Sequence, residues 1–174
     1  MNKIRNFGFI LGLAGSLLGT TAYADQASDL AAIENFKLTD SFLAHYQAVQ
    51  MAAMKDFCHL SPMVLIGQDG ANGGEMSLDE LASKYDAQPG VHSMLASNDM
   101  TAKDMYMGIF NLMDAAMHDM PNAPGAPAVS SIHVSAANQA FYEAHKAEIE
   151  QFQGTLGRQM MQDNGGQLPA CMSQ

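Results

Sequence analysis

The chain has 174 residues, of which 18 are acidic and 8 are basic, so its formal net charge at pH 7 is −10. A surface with this charge repels nucleic acid and anionic membranes, which excludes both as favourable partners. Hydrophobic residues make up 48% of the chain and charged residues 15%, a composition that favours a folded domain over disorder.

The first 24 residues have the three zones of a bacterial signal peptide. Lys3 and Arg5 form a basic start, residues 7–18 are apolar, and Ala22-Tyr23-Ala24 matches the small-x-small cleavage rule. The apolar stretch is shorter than the about 20 residues that a membrane span needs. We therefore predict cleavage after Ala24. The mature chain, residues 25–174, then lacks Lys3 and Arg5 and has a net charge of −12. We expect it to lie in the periplasm or outside the cell.

Capping residues and the spacing of apolar residues predict the first elements of the mature chain. Residues 25–37 form a lead-in of one or two helical turns. Thr39 is a good N-cap for a first long helix, Asp40–Phe57, along which apolar residues recur at helical spacing. After a glycine-rich loop at 67–74, a capping box of Ser77 and Glu80 begins a second helix, Leu78–Tyr85.

The sequence of the second half of the chain predicts one more short helix and two long helices. Pro89 suits the first position of a short helix, Pro89–Ser97. The helix Thr101–His118 is apolar nearly all round, and such a helix belongs in the middle of a fold. A Pro-rich crossover at 121–131 precedes the last helix, Ala136–Met161, which Ser135 caps. The sequence thus predicts a single all-α domain, an irregular bundle of about three longer and two short helices.

Two cysteines, Cys58 and Cys171, remain in the predicted mature chain. An even number of cysteines in an oxidising compartment predicts a disulfide, which would pin the C-terminal tail beside the end of the first long helix. A redox or metal-binding pair is the alternative, but the chain has no Cys-x-x-Cys motif.

Two stretches of the chain resemble signatures of a known family. The first is Pro89-Gly90-Val91-His92 followed by Leu95 and Thr101, and the second is Ser135-Ala136-Ala137-Asn138 followed by Phe141 and by residues 145–149. Together they resemble a family of small exported helical proteins of proteobacteria that has no assigned function. The resemblance implies a helical fold and an exported life, and it assigns no catalytic or binding residue.

Methionine is the most unusual part of the composition, because 14 of the 15 methionines lie in the predicted mature chain. Thioether sulfur binds Cu(I), and the candidate soft-metal ligands are Met51, Met54, Met117, His118 and Met120. Most methionines also fall on apolar stripes, where this side chain fills irregular gaps between helices. We therefore expect a Met-rich apolar interior. Copper binding is the alternative, and an adaptable groove for an apolar ligand or a partner helix is a further one.

Two histidines are candidate ligands for other groups. Asp114 and His118 are one helical turn apart, a spacing that can hold Zn²⁺, although such a pair also forms a solvated face or a polar contact between helices. His145 lies on the apolar stripe of the last helix. A buried histidine usually pairs with a hydroxyl or a carbonyl group, and a heme or metal ligand is the alternative role.

The glycine-rich loop offers oxygen ligands from Asp69, Asn72 and Glu75, which suit Ca²⁺. Their spacing does not match an EF-hand, so the turn chemistry of these residues explains them better.

Motifs of known enzyme classes are missing from the chain. It has no nucleophile elbow, no P-loop and no dinucleotide fingerprint. We expect an exported noncatalytic binding or interaction protein without a cofactor, whose partner is an unknown protein or an apolar small molecule. A periplasmic Cu(I)-binding protein is the alternative, and an enzyme of unrecognised chemistry is the third hypothesis.

Overall fold

The computed structural model of the chain describes residues 23–63, 76–118, 133–169 and Cys171. Residues 1–22 of the predicted signal peptide, the loop with Asp69, Asn72 and Glu75, Met120 and the predicted crossover 121–131 lie outside the described residues. Within those ranges every regular element is a helix and none is a strand, which confirms the predicted all-α class.

Seven α-helices and one 3₁₀ turn follow one another along the described chain. In order they are α1 Tyr23–Asn35, α2 Asp40–Ala53, the 3₁₀ turn Met54–Asp56, α3 Phe57–Leu60, α4 Leu78–Asp86, α5 Val91–Ala96, α6 Ala102–His118 and α7 Ala136–Asp163. In the part of the chain that is described, no helix combines the length and the apolarity that a membrane crossing requires.

The predicted helix starts are confirmed by their caps. The Thr39 hydroxyl accepts a hydrogen bond from the Phe42 N–H at the start of α2. At the start of α4, Ser77 and Glu80 form both hydrogen bonds of a capping box. The Ser135 hydroxyl accepts from an N–H in the first turn of α7. These bonds satisfy backbone donors that a helix leaves unpaired at its first turn, so short sequence signals were enough to predict them.

Three predicted boundaries were wrong. The lead-in at 25–37 lies mostly in the longer helix α1, Tyr23–Asn35, which packs along α6 through contacts that its own sequence does not show. The first long helix ends at Ala53 and continues as the 3₁₀ turn Met54–Asp56 and the short helix α3, so it is not one continuous α-helix to Phe57. The helix expected from Pro89 begins at Val91, since Gly90 adopts φ +87° immediately before it.

The long helix α6 is the centre of the bundle, as its all-round apolar sequence predicts. It packs against α1, α4 and α7. Its buried side chains include Met105, Tyr106, Ile109, Leu112 and Ala115. Gly108 faces α2 so closely that a Cβ atom at this position would overlap the Phe42 ring.

The Cys58–Cys171 disulfide predicted from the cysteine count is present, with a Cα–Cα distance of 5.7 Å. It joins α3 to the C-terminal tail across a sequence separation of 113 residues. The tail leaves α7 through Gly165 and Gly166, which have φ angles of +63° and +84°. Their N–H groups bond the Gln162 and Met161 carbonyls, the pattern of a Schellman motif.

Candidate functional site

The candidate soft-metal ligands lie in different environments. Met51 is 37% exposed on α2, whereas Met54, one turn later, is buried in the core. Met117 is half-buried and His118 is exposed at the end of α6, and Met120 lies outside the described residues. Among the described residues, no three His, Cys, Asp or Glu side chains are grouped closely enough to hold a metal ion. Three further methionines, Met94, Met100 and Met105, are buried core residues.

Asp114 is buried and joins α6 to the segment before α7, whereas His118 is exposed. The residue is 3% exposed, and its carboxylate accepts a hydrogen bond of 3.0 Å from the Val134 N–H, just before α7. Asp114 therefore positions the chain where it returns to the bundle, which is the polar-contact alternative for this residue.

His145 bridges two carboxylates instead of pairing with a hydroxyl or a carbonyl group. Its Nε2 lies 3.1 Å from Asp40 Oδ1 at the start of α2, and its Nδ1 lies 3.2 Å from Glu148 Oε2 on its own helix. The ring stacks on Phe141 with centroids 4.3 Å apart. Hydrogen bonds from Gln47 and His145 hold the pKa of the Glu148 carboxyl below its usual value. This cluster joins α2 to α7 at the surface.

A buried asparagine pair is the polar feature that the sequence did not reveal. Asn138 Nδ2 donates to Asn111 Oδ1 and to the Phe36 carbonyl, both at 2.7 Å, and Asn138 Oδ1 accepts from the Leu38 N–H. Asn111 Nδ2 donates to the Ile33 carbonyl at 2.7 Å. The two amides thereby bond backbone groups at and just after the end of α1, where a helix leaves its last carbonyl groups without partners of its own. The only sign of this pair in the sequence was an asparagine on an otherwise apolar face of a helix.

A shallow open groove lies between α4, α5 and the start of α6, with a volume of about 650 Å³. We call it the α4–α5 groove. Its floor consists of buried apolar side chains, namely Ala82, Leu95, Met100 and Ala102. Its rim is largely polar and consists of Ser83, Asp86, His92, Asp99 and Thr101, with Ala96 at the edge. These floor residues are 1–7% exposed, so the surface that a ligand could contact belongs mainly to the rim.

The rim presents hydrogen-bond acceptors. His92 Nδ1 lies 3.0 and 3.1 Å from the two carboxylate oxygens of Asp86, which orients the imidazole. The carboxylate of Asp99 makes no hydrogen bond or ion pair with any described residue. The Thr101 hydroxyl donates to Asp104, at the first turn of α6, rather than to His92. The described rim therefore offers carboxylate oxygens to a ligand.

A second shallow cleft of about 520 Å³ continues along the exposed face of α4. It shares Ser83 with the α4–α5 groove, and its other lining residues are Met76, Asp79, Glu80, Lys84 and Ala87. Lys103 lies 2.6 Å from Asp79 and neutralises it. The two clefts together form an extended surface along one helix rather than an enclosed pocket.

Comparison of the chain with protein-family models, with curated protein sequences and with solved structures finds no match in any of the three. Function is therefore inferred from the groove and from the packing around it.

Proposed function

We propose that this protein is an exported, noncatalytic interaction protein that docks a segment of a partner protein in the α4–α5 groove. The observation that carries the proposal is the shallow depression whose rim residues Ser83, Asp86, His92 and Asp99 stand around the core residues of α4–α6. The disulfide between Cys58 and Cys171 supports export, because such bonds persist in oxidising compartments.

The shape of the groove favours a polypeptide segment over a small molecule. Small-molecule sites bury most of the ligand's surface in a concave pocket. The α4–α5 groove is shallow, and it continues past Ser83 into the second cleft along α4. An extended segment can use both clefts at once, whereas a small ligand would leave most of its surface in water.

Site-specific photo-crosslinking tests this proposal. A photoreactive phenylalanine analogue is incorporated at Ser83 in the exported protein, and at Gln153 as an exposed α7 position that lines neither cleft. We expect an ultraviolet-dependent adduct with a periplasmic protein of the source organism at Ser83 only. Ala96→Trp, which fills the edge of the groove, should remove that adduct while the melting temperature stays the same.

Two outcomes would refute the proposal. The first is identical adducts at Ser83 and Gln153, because these would report random collisions. The second is an adduct at Ser83 that persists undiminished in the Ala96→Trp variant, because the groove would then not be the docking site.

A further inference from the structure

The methionines of the described chain differ widely in their exposure to water. Met51 on α2 is 37% exposed and Met161 in the last turn of α7 is 38% exposed. Together with Leu168 they are the large hydrophobic side chains that are exposed among the described residues. Four other methionines are at most 9% exposed, namely Met54, Met94, Met100 and Met105. One residue type therefore occurs in two opposite environments, even within one turn, as at Met51 and Met54.

A thioether in contact with water reacts with two-electron oxidants such as hydrogen peroxide. A lone pair of the methionine sulfur attacks one oxygen of the peroxide, so that a sulfur–oxygen bond forms as the oxygen–oxygen bond breaks. The proton of the transferred oxygen goes to the hydroxide that leaves, which departs as water. The sulfur is oxidised by two electrons to a sulfoxide, and the peroxide is reduced to water.

The consequence of this reaction for the fold depends on where the sulfoxide forms. A sulfoxide is polar, and a polar group that is buried without a hydrogen-bond partner destabilises a core. Met105, which is fully buried, belongs to the hydrophobic core cluster. Within the described part of the chain, Met51 and Met161 belong neither to that cluster nor to the half-buried side chains packed against it. An oxygen atom added to either of them stays in water.

From this distribution we infer that Met51 and Met161 are modification sites, at which the folded protein takes up oxygen from a peroxide and keeps its fold. The Cys58–Cys171 disulfide supports the inference, because such bonds persist in the oxidising compartments where proteins meet these oxidants. An exposed sulfoxide is also accessible to methionine sulfoxide reductases, which return it to the thioether. The modification is then reversible.

Peptide mapping by mass spectrometry tests the inference on the full mature protein with its disulfide intact. The protein is treated with hydrogen peroxide for increasing times, the reaction is stopped with catalase, and the oxygen gained by each described methionine is measured. We expect Met51 and Met161 to react about tenfold or more faster than the four buried methionines, because those react only when the fold opens. Protein that is oxidised at these two positions alone should keep its melting temperature.

The double variant Met51→Leu with Met161→Leu should fold normally and lose the rapid oxygen uptake of these two positions. Met105→Leu is the matched control, because it makes the same substitution at a buried site, and it should leave the rapid uptake unchanged. Oxidation of Met54 or Met105 in the folded protein as fast as that of Met51 and Met161 would overturn the assignment of the sites. A lower melting temperature of protein oxidised at Met51 and Met161 alone would overturn the claim that the product keeps its fold.

This inference and the docking proposal are tested independently, because neither Met51 nor Met161 lines the α4–α5 groove or the second cleft. Loss of the Ser83 adduct in Ala96→Trp leaves the oxidation result unaffected, and slow oxidation of Met51 and Met161 leaves the docking result unaffected.

Discussion

The asparagine pair shows how much a single side chain can contribute in this fold. Asn138 bonds the Phe36 carbonyl and the Leu38 N–H, both in the link between α1 and α2, and the Asn111 side chain on α6. A hydrogen bond contributes only about 1 kcal/mol when it forms, but a buried group that loses its partner costs about 1–3 kcal/mol. The pair therefore stabilises the position of α1 mainly by preventing such losses.

We expect Asn138→Ala to lower the free energy of unfolding by about 3 kcal/mol or more, because it leaves three buried groups without partners. Urea denaturation followed by circular dichroism measures this change. Asn35→Ala is the control, since the exposed Asn35 amide bonds only a carbonyl of its own helix and its loss should cost under about 0.5 kcal/mol. Similar costs for both variants would show that the buried network does not hold α1.

Tyr46 gives the fold a predictable response to alkaline pH. Burial raises the pKa of its phenol, a hydrogen bond with Gln50 lowers it by less, and the resulting pKa is about 12. Burial also raises the pKa of Tyr85, whose hydroxyl donates to the Leu60 carbonyl. The folded state therefore holds these protons more tightly than the unfolded state does.

The stability that this difference provides is complete below pH 10, the ordinary pKa of tyrosine, and is lost as the pH rises towards 12. We expect the absorbance of tyrosinate to show a late ionisation step that is reduced in Tyr46→Phe, together with a melting temperature that falls over the same pH range. If all tyrosines ionised together near pH 10 while the protein stayed folded, the raised pKa of Tyr46 would be contradicted.

At the scale of elements, the contact between α2 and α6 depends on one glycine. A Cβ atom at Gly108 would overlap the Phe42 ring, which is itself buried. Overpacking of this kind forces side chains off their rotamers or moves the backbone, at a cost of about 1–3 kcal/mol. The ring and the glycine therefore set the distance between the two helices.

We expect Gly108→Ala to destabilise the protein by about 1–3 kcal/mol, although alanine is the better helix former. Gly157→Ala is the matched control, because nothing lies within 4 Å of its added methyl group, and it should stabilise by about 0.5–1 kcal/mol. Adding Phe42→Leu should recover part of the loss, which a double-mutant cycle quantifies. Additive effects in that cycle would contradict the contact.

The methionine-rich interior can be tested at Met105, a side chain of α6 that is fully buried. Met105→Ala should destabilise by about 2–5 kcal/mol and Met105→Leu by under about 1.5 kcal/mol, because leucine nearly preserves the volume. Cu(I) should leave the melting temperature of the wild type unchanged. A stoichiometric rise with Cu(I) that disappears when Met117 and Met120 are both replaced by leucine would favour the soft-metal alternative instead.

At the scale of the whole molecule, the disulfide restricts the chain more than any single contact. It closes a loop across a separation of 113 residues, and loops of this size gain about 4–5 kcal/mol in the chain-entropy description. We expect Cys58→Ser to lower the free energy of unfolding by about 2–5 kcal/mol and to expose the tail after α7 to proteolysis. Thermal melts and limited proteolysis measure the two effects, and an unchanged melting temperature would contradict the bond's stabilising role.

Much of the fold could be predicted from the sequence because it depends on short-range chemistry. The N-caps Thr39, Ser77 and Ser135 act on N–H groups three residues away, so their side chains can be recognised without knowledge of the fold. The all-round apolar sequence of α6 requires a central position, since only there can every face be buried. The disulfide followed from an even cysteine count in a predicted oxidising compartment.

The length of α1, the asparagine pair and the candidate groove depend instead on tertiary packing. Asn138 bonds Leu38 and Phe36 from 100 and 102 residues away, and no local pattern encodes a contact between such distant residues. The α4–α5 groove exists only because three helices bring Asp86, His92 and Asp99 around one apolar floor. Helix capping and the spacing of apolar residues act within a few residues, so the sequence by itself determines them. The burial of Asn111 and Asp114 and the shape of the groove arise only when helices meet, because solvent exclusion and hydrogen-bond pairing depend on the neighbours that the fold supplies.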